Sequence, residues 1–230
     1  MTLLDMVNEV LIRLREKEVT SVNQNTYSKL IVKFLNDTRR QVEDAYTWNG
    51  LSDTMTITTT PDVFSYKLTD AGIRFRTIDV LNDTSNFVMN YATTRDMNDW
   101  FLLADIPKAS PLYYNYNGVD VDGDTQVDIY PVPNSAYTLR FNMILSRIWR
   151  WNSGTSAYEL KAVDLAQDLD KILVPTEPVI LGAYARAIVE RGEDQGQQSS
   201  EAYQLFRSSL SDFIAIEANH YPEELIWIGE

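Results

Sequence analysis

The feature that most constrains the fold of this chain is a change of periodicity that occurs twice. At both ends, apolar residues recur every three or four positions, which is typical of amphipathic helices. Between these ends, residues 111–140 (PLYYNYNGVDVDGDTQVDIYPVPNSAYTLR) form short runs broken by Pro and Gly, a pattern that predicts β-strands joined by turns. We therefore predict an α+β fold, with a helical bundle formed by the N- and C-terminal helices and a β-rich insertion domain between them.

The predicted boundaries lie where the composition changes. Residues 1–50 and 161–219 are assigned to the helical bundle, residues 51–160 to the β-rich insertion, and residues 220–230 to a C-terminal tail. A length of 230 residues suits one domain with a large insertion. Neither an internal repeat nor a low-complexity linker divides the chain further.

The helical ends are predicted from apolar stripes and capping residues. The first helix covers Thr2–Lys17, with Thr2 as its N-cap, and the second covers Gln24–Trp48. A later helix is expected to begin at Thr176 as its cap, and the last to cover Ser199–Asn219. That last helix is expected to bury its apolar residues, Ala202, Leu205, Phe206, Phe213 and Ile216. The stretch Arg147–Tyr158 is predicted to be a loop or a hairpin tip.

Composition restricts the chemistry of the chain. It has no cysteine, which excludes disulfides and thiolate catalysis, and its single histidine, His220, cannot anchor a multi-histidine metal site. We therefore expect no cofactor and no metal. With 20 Lys and Arg against 33 Asp and Glu, the net charge is −13, which disfavours gripping DNA but suits a surface that DNA slides past. No apolar run is long enough for a bilayer, and the acidic N-terminal segment does not fit a signal peptide.

Two acidic clusters invite a catalytic or metal-binding interpretation. The stretch Asp120–Asp124 resembles the start of a calcium loop, but the sixth position is Thr125 and the twelfth is Pro131, where Gly and Glu are required. We interpret it as a solvated hairpin turn.

The run Asp164, Asp168 and Asp170 could supply a pair of catalytic carboxylates, but neither a basic partner nor a phosphate loop accompanies it. A charged surface is the favoured interpretation. The sequence also lacks the GxSxG, Walker and GxGxxG motifs, and we predict that the protein is not an enzyme.

Aromatic residues are the candidates for molecular contact. The chain has 13 Tyr and 5 Trp, and Tyr114, Tyr116, Trp149 and Trp151 fall in its β-rich part. Such residues serve sheet packing and protein interfaces alike, so both interpretations stay open. We assign these four residues to an interface with another subunit or another protein.

The C-terminal tail carries a second candidate interface. Leu225, Ile226, Trp227 and Ile228 are four consecutive large apolar residues among acids, and Tyr221 precedes them. Such a run should not be left in water. It either docks on its own domain or inserts into a partner, and we favour the partner.

Three parts of the sequence resemble a known family. They are the opening LLDMVNEVLIRL…TYSKLIVKFLNDTRRQVEDAYTW, the strand pair PLYYNYNG…VDIYPVPNSAYTLRF, and the Val-Pro before EPVILGAYARAIVERGED. Together they resemble the head-to-tail adaptor (connector) proteins of tailed bacteriophages, the class that includes podovirus tail tubular protein A.

The resemblance implies a structural virion protein at the head-tail vertex, assembled in the host cytoplasm. It implies a twelve-fold ring under the portal protein that extends the DNA channel and offers an attachment surface to a tail nozzle or other tail protein. Double-stranded DNA would pass through without specific binding, and no membrane would be involved. The five residues of the C-terminal tail would then contact the portal or a neighbouring subunit, and Trp149, Trp151, Tyr114 and Tyr116 would contact a tail protein or a neighbouring subunit. An alternative stays open, a carbohydrate-binding or hydrolytic protein that uses the Tyr-rich β region.

Overall fold

The computed structural model of the chain describes residues 1–192 and 197–219, and it confirms the predicted α+β class. The helices are α1 (Leu3–Arg13), α2 (Thr26–Ala45), α3 (Thr94–Phe101), α4 (Thr176–Arg191) and α5 (Gln197–Ala218). The strands are β1 (Ser52–Thr58), β2 (Ser65–Lys67), β3 (Phe75–Asn82), β4 (Phe87–Val88), β5 (Asn90–Tyr91), β6 (Tyr113–Val119), β7 (Thr125–Tyr130), β8 (Thr138–Leu145), β9 (Ile148–Asn152), β10 (Ala157–Lys161) and β11 (Lys171–Ile172).

These elements form two compact units. The first unit comprises residues 1–50 and the chain from 147 onward, and the second comprises residues 51–146. Strands β9 and β10 therefore belong with the helices of the first unit, whereas the sequence-based division places them in the insertion. They pair as an antiparallel hairpin with β11 on the other side of β9, in the order β10-β9-β11.

Polar side chains fix where the first two helices begin. Thr2 caps α1 as predicted, accepting from the Asp5 backbone N–H while the Asp5 carboxylate accepts from the Thr2 N–H. Asn25 and Ser28 form the same reciprocal arrangement on α2. The predicted cap at Thr176 is wrong, because Thr176 is already helical.

Helix α4 is the centre of the first unit and packs against α1, α2 and α5. Its small residues Gly182, Ala183 and Ala187 are buried, which allows the neighbouring helices to approach closely. Helix α5 buries Ala202 and Phe206 as predicted. The predicted burial of Leu205 and Ile216 is wrong, since both lie off the stripe that α5 turns toward α4 and are exposed. The predicted bundle arrangement itself stays a prediction.

The second unit is built from two four-stranded sheets, in the orders β1-β8-β3-β4 and β2-β7-β6-β5. Alternate residues of β8 and β7 point inward, which is the two-residue period that the sequence shows. One core takes side chains from both sheets, and its central members are Val80, Val127, Ile129, Leu139, Phe141, Met143 and Leu145. Helix α3 packs beside β6, with Met97 buried.

None of the helices in the described ranges combines the length and the apolar character that crossing a bilayer requires.

Replacing Gly182 with Ala is expected to destabilise the first unit, although Ala normally gains about 1 kcal/mol over Gly inside a helix. A Cβ atom at this position would overlap Thr38 Cγ2 of α2 and lie 3.0 Å from Phe206 Cδ2 of α5. Because overpacking costs about 1–3 kcal/mol, we expect a net loss of about 1 kcal/mol in the free energy of unfolding, measured in urea.

The control is the additional change Thr38→Ser, which removes Cγ2 but keeps the hydroxyl that accepts from Arg186 Nη1. Gly182→Ala should cost less in that background than in the natural chain. A stabilising effect of Gly182→Ala alone would show that the helices do not meet this closely.

Candidate functional site

The clearest candidate contact surface is one face of the β10-β9-β11 sheet. Trp149 and Trp151 are two residues apart on β9, so both side chains leave the same face. In the strand register, Trp149 lies opposite Leu160 on one side and Lys171 on the other, and Trp151 lies opposite Tyr158. We call this set the aromatic face: Trp149, Trp151, Tyr158, Leu160 and Lys171.

The aromatic face is held together by its own contacts. The Trp151 and Tyr158 rings meet edge-on, with centroids 5.1 Å apart. The Lys171 Nζ lies 4.2 Å from the Tyr158 ring centroid, within the range of a cation–π interaction. All members are half-buried. Trp and Tyr are among the residue types that contribute most to the binding energy of protein interfaces.

The opposite face of this sheet is committed to the interior of the first unit. Ile148 is fully buried, and the Arg150 guanidinium donates from Nε and Nη2 to the buried carboxylate of Asp170. The sheet thus has one face used for folding and one aromatic face available for contact.

Tyr114 and Tyr116, the other two predicted contact residues, belong to the second unit. Tyr114 is 8% exposed and forms part of the core between the two sheets. The Tyr116 hydroxyl lies 2.5 Å from Thr77 Oγ1, and burial of the phenol raises the pKa of Tyr116 to about 12. Burial likewise raises the pKa of Tyr114. Sheet packing accounts for both rings, and Tyr130 is buried as well.

The predicted tail interface lies outside the described residues. It consists of Tyr221, Leu225, Ile226, Trp227 and Ile228, and its role stays a prediction.

Sequence reasoning missed three members of the aromatic face: Tyr158, Leu160 and Lys171. The signal was present, because W-R-W at 149–151 and Y-E-L at 158–160 both alternate and flank a Ser-Gly turn. The prediction of a loop or hairpin tip over 147–158 did not include the strand pairing that brings these residues together.

The Asp120–Asp124 stretch is a hairpin turn between β6 and β7, as predicted. In addition, the Lys67 side chain pairs with its three carboxylates. The Lys67 Nζ lies 2.7 Å from Asp120 Oδ2, 2.8 Å from Asp122 Oδ2 and 3.4 Å from Asp124 Oδ2. The hydrogen bond from Lys67 is the main reason that the pKa of Asp120 is lowered. Within the described residues, no group of three metal-ligating side chains is arranged to hold a metal ion.

The second acidic cluster ties segments of the first unit together. Asp168 Oδ1 accepts from the Val22 backbone N–H at 2.7 Å, and Asp164 pairs with Arg39 and Arg40 of α2. The Asp170 carboxylate is fully buried, so its interpretation as part of a charged surface is wrong. These carboxylates already have internal partners, which is the arrangement of a structural network.

The sequence of the chain is similar to one known protein family along nearly its whole length. A family model described as SU10 adaptor protein matches residues 1–223, which is nearly the whole chain. No curated protein matches the chain. The likeness to the podovirus protein in particular stays a prediction.

Replacing Lys67 with Met is expected to lower the thermal midpoint of unfolding, because three carboxylates would then face one another without their ammonium group. The hydrogen bond to Asp120 raises the pKa of Lys67 and lowers the pKa of Asp120. The stabilisation is therefore fully present between the ordinary pKa values of about 3.9 and 10.4, and it is lost as pH falls through the lowered pKa of Asp120 or rises through the raised pKa of Lys67.

Calorimetry at neutral pH should show this deficit shrinking as NaCl is added, since salt screens the carboxylate repulsion. The matched control is Lys108→Met, which removes an exposed pair with Asp62 and should change the midpoint little. Equal shifts for the two variants would refute a special role for Lys67.

Replacing Asp170 with Asn is expected to lower the free energy of unfolding by about 2–4 kcal/mol, because the partly buried Arg150 loses its charged partner. The measurement is urea unfolding followed by tryptophan fluorescence. Asp37→Asn, which breaks an exposed pair with Arg40, is the control and should cost at most about 1 kcal/mol. An effect of Asp170→Asn no larger than that of the control would contradict the structural role.

Proposed function

Because the chain belongs to the SU10 adaptor protein family, a phage head-to-tail adaptor family, we propose that it forms a ring between the portal and the tail of a tailed phage. Its role is structural, as a virion component at the head-tail junction that interacts with portal and tail proteins. The family match over residues 1–223 is the observation that carries the proposal. The ring has twelve copies, extends the DNA channel and gives the tail its attachment surface.

A closed ring needs mutually complementary surfaces on each subunit, and an adaptor also needs surfaces for its portal and tail partners. The aromatic face is one such surface, with Trp149 and Trp151 as anchors for a neighbouring subunit or for a tail nozzle or other tail protein. Tyr114 and Tyr116 stabilise the second unit instead. Their rings pack inside that unit, so they contribute less to contacts with other proteins.

The C-terminal tail is the second surface in this proposal. Leu225, Ile226, Trp227 and Ile228, preceded by Tyr221, are buried against the portal or a neighbouring subunit. Burial of each large apolar side chain stabilises by about 1.5–3 kcal/mol before ordering costs are subtracted. Four such residues are enough to hold a subunit in a ring that already has other contacts.

Charge supports the proposed DNA channel. A net charge of −13 repels a phosphate backbone, so double-stranded DNA passes without specific binding. The proposal also places assembly in the host cytoplasm before the particle is complete.

An enzymatic or carbohydrate-binding role has less support. The Tyr-rich region that would carry it uses Tyr114, Tyr116 and Tyr130 for packing within the second unit. Of the run Asp164, Asp168 and Asp170 that could have supplied catalytic carboxylates, Asp164 and Asp170 pair with arginines and Asp168 accepts from the Val22 backbone N–H.

Ending the chain after His220 is expected to leave a folded protein that no longer assembles on the portal, because the apolar segment that anchors it to the portal or to a neighbouring subunit is gone. Circular dichroism checks the fold, and cosedimentation with the portal protein of the same phage measures attachment. A full-length variant with Ser at positions 225, 226, 227 and 228 separates loss of apolar surface from loss of length, and it should fail in the same way. Unchanged affinity of the truncated protein would show that the tail is not the anchor.

A further inference from the structure

A groove of about 580 Å³ opens between α2, α4 and α5, all within the first unit. Its apolar lining includes Phe34, Ala185, Val189 and Tyr203, and its charged lining includes Arg186 and Glu190. Val189 is 64% exposed and Tyr203 is 40% exposed, an unusual placement for large apolar side chains side by side. We call this the α4–α5 groove.

We propose that the α4–α5 groove binds the segment Leu225–Ile228 of a neighbouring copy of this chain. The inference rests on the proposed ring and deepens it, since it names which surface of one subunit receives the tail of the next. The groove volume lies within the range of about 300–1,000 Å³ that small-molecule pockets occupy, which is enough space for one or two large side chains. Trp227 and an adjacent aliphatic side chain would fill it.

The length of the tail argues against docking in its own groove. From Tyr203 to Ala218, where α5 ends, fifteen residues of helix rise about 22 Å. Trp227 follows Ala218 by nine residues, and reversing direction along α5 takes about four of them. The remaining five residues span at most about 17 Å when fully extended, so docking in its own groove would require the whole tail to be extended. A neighbouring copy has no such restriction.

Charge also fits this occupant. Arg186 donates to Thr38 Oγ1 and Gln41 Oε1, so the side chains that the described residues supply to its guanidinium are neutral. The tail carries Glu223 and Glu224 immediately before Leu225. These carboxylates can pair with Arg186 while the apolar residues enter the groove, although Glu190 nearby limits how many acids can approach.

The groove lies beside the N-terminal part of α5, whereas the tail follows α5 in the sequence, and the apolar and acidic residues of the tail match the apolar and basic lining of the groove. Two different complementary patches on each subunit are what a head-to-tail contact requires, and repetition of that contact closes a ring.

The absence of cysteine from the chain allows a direct test. The double variant Val189→Cys/Ile228→Cys is assembled with the portal protein of the same phage, ring formation is checked by electron microscopy, and a short bis-maleimide is added. Denaturing gels should then show a ladder of covalent oligomers. The control pair is Val121→Cys/Ile228→Cys, because Val121 is a fully exposed apolar residue of the second unit. The crosslinked fraction should exceed that of the control by about ten-fold, as expected from the high effective concentration of docked groups.

Each other outcome overturns the inference. An internally crosslinked monomer would place the tail in its own groove, and crosslinks to the portal alone would place it on that partner. Rings without any crosslink at Val189 would exclude the groove as the binding site. If the unsubstituted protein forms no ring, the proposed function fails and the inference fails with it, and microscopy before crosslinking separates this case from the others.

A second variant tests the groove without chemical modification. Val189→Asp places a charge on an exposed position, so the fold should persist, and the yield of rings should fall to the level of the chain ended after His220. Val121→Asp is its control and should assemble normally. Normal ring yield with Val189→Asp would contradict the inference.

Discussion

Asp170 has no exposure to solvent, and its carboxylate accepts from the backbone N–H groups of Ala166 and Gln167 as well as from Arg150. A buried carboxylate is costly unless its oxygens are paired, so this site fixes the conformation of the irregular segment 163–170. That segment in turn binds three others. The Leu3 N–H of α1 donates to the Asp170 carbonyl. The Asn36 side chain of α2 both donates to and accepts from the backbone of Leu165. Arg150 of β9 donates to the Asp170 carboxylate. The first unit therefore depends on one satisfied polar network that joins parts of the chain more than a hundred residues apart.

The same network explains how the aromatic face is presented. Arg150 lies between Trp149 and Trp151 on β9, so the pairing that draws Arg150 inward necessarily turns both indoles to the other side. In the second unit, Lys67 forms ion pairs with Asp120, Asp122 and Asp124. Arg150 forms the corresponding ion pair with Asp170 in the first unit. In both units, acidic residues that resemble metal-binding or catalytic groups are acceptors for internal cations. A chain with 33 acids thus uses some of them to fix its fold and leaves others to give the protein its negative charge.

Local patterns predicted most of the elements. The cap at Thr2 and the alternation along β8 each depend on neighbours only a few residues away, so the sequence displays them directly. The burial of Asp170 was not predictable in this way, because its partners are distant in the sequence. Arg150 pairs with its carboxylate, and the Leu3 N–H donates to its backbone carbonyl, only once the chain is folded. The stretch Arg147–Tyr158 was predicted as a loop or a hairpin tip, and the strands β9 and β10 were not predicted, because their register is set by pairing with each other and with β11.

For the candidate site, sequence reasoning identified Trp149 and Trp151 but not the partners that complete the face, because strand register is needed to place Tyr158 and Lys171 beside them. It also grouped Tyr114 with them by residue type, although that ring packs in a core. The central claim, that this chain is a repeating building block of a ring, is tested most directly by native mass spectrometry of the protein assembled with its portal. The account predicts a single complex that contains twelve copies of the 26.4 kDa chain. A portal that carries no adaptor, or a scatter of copy numbers without a closed ring, would contradict it.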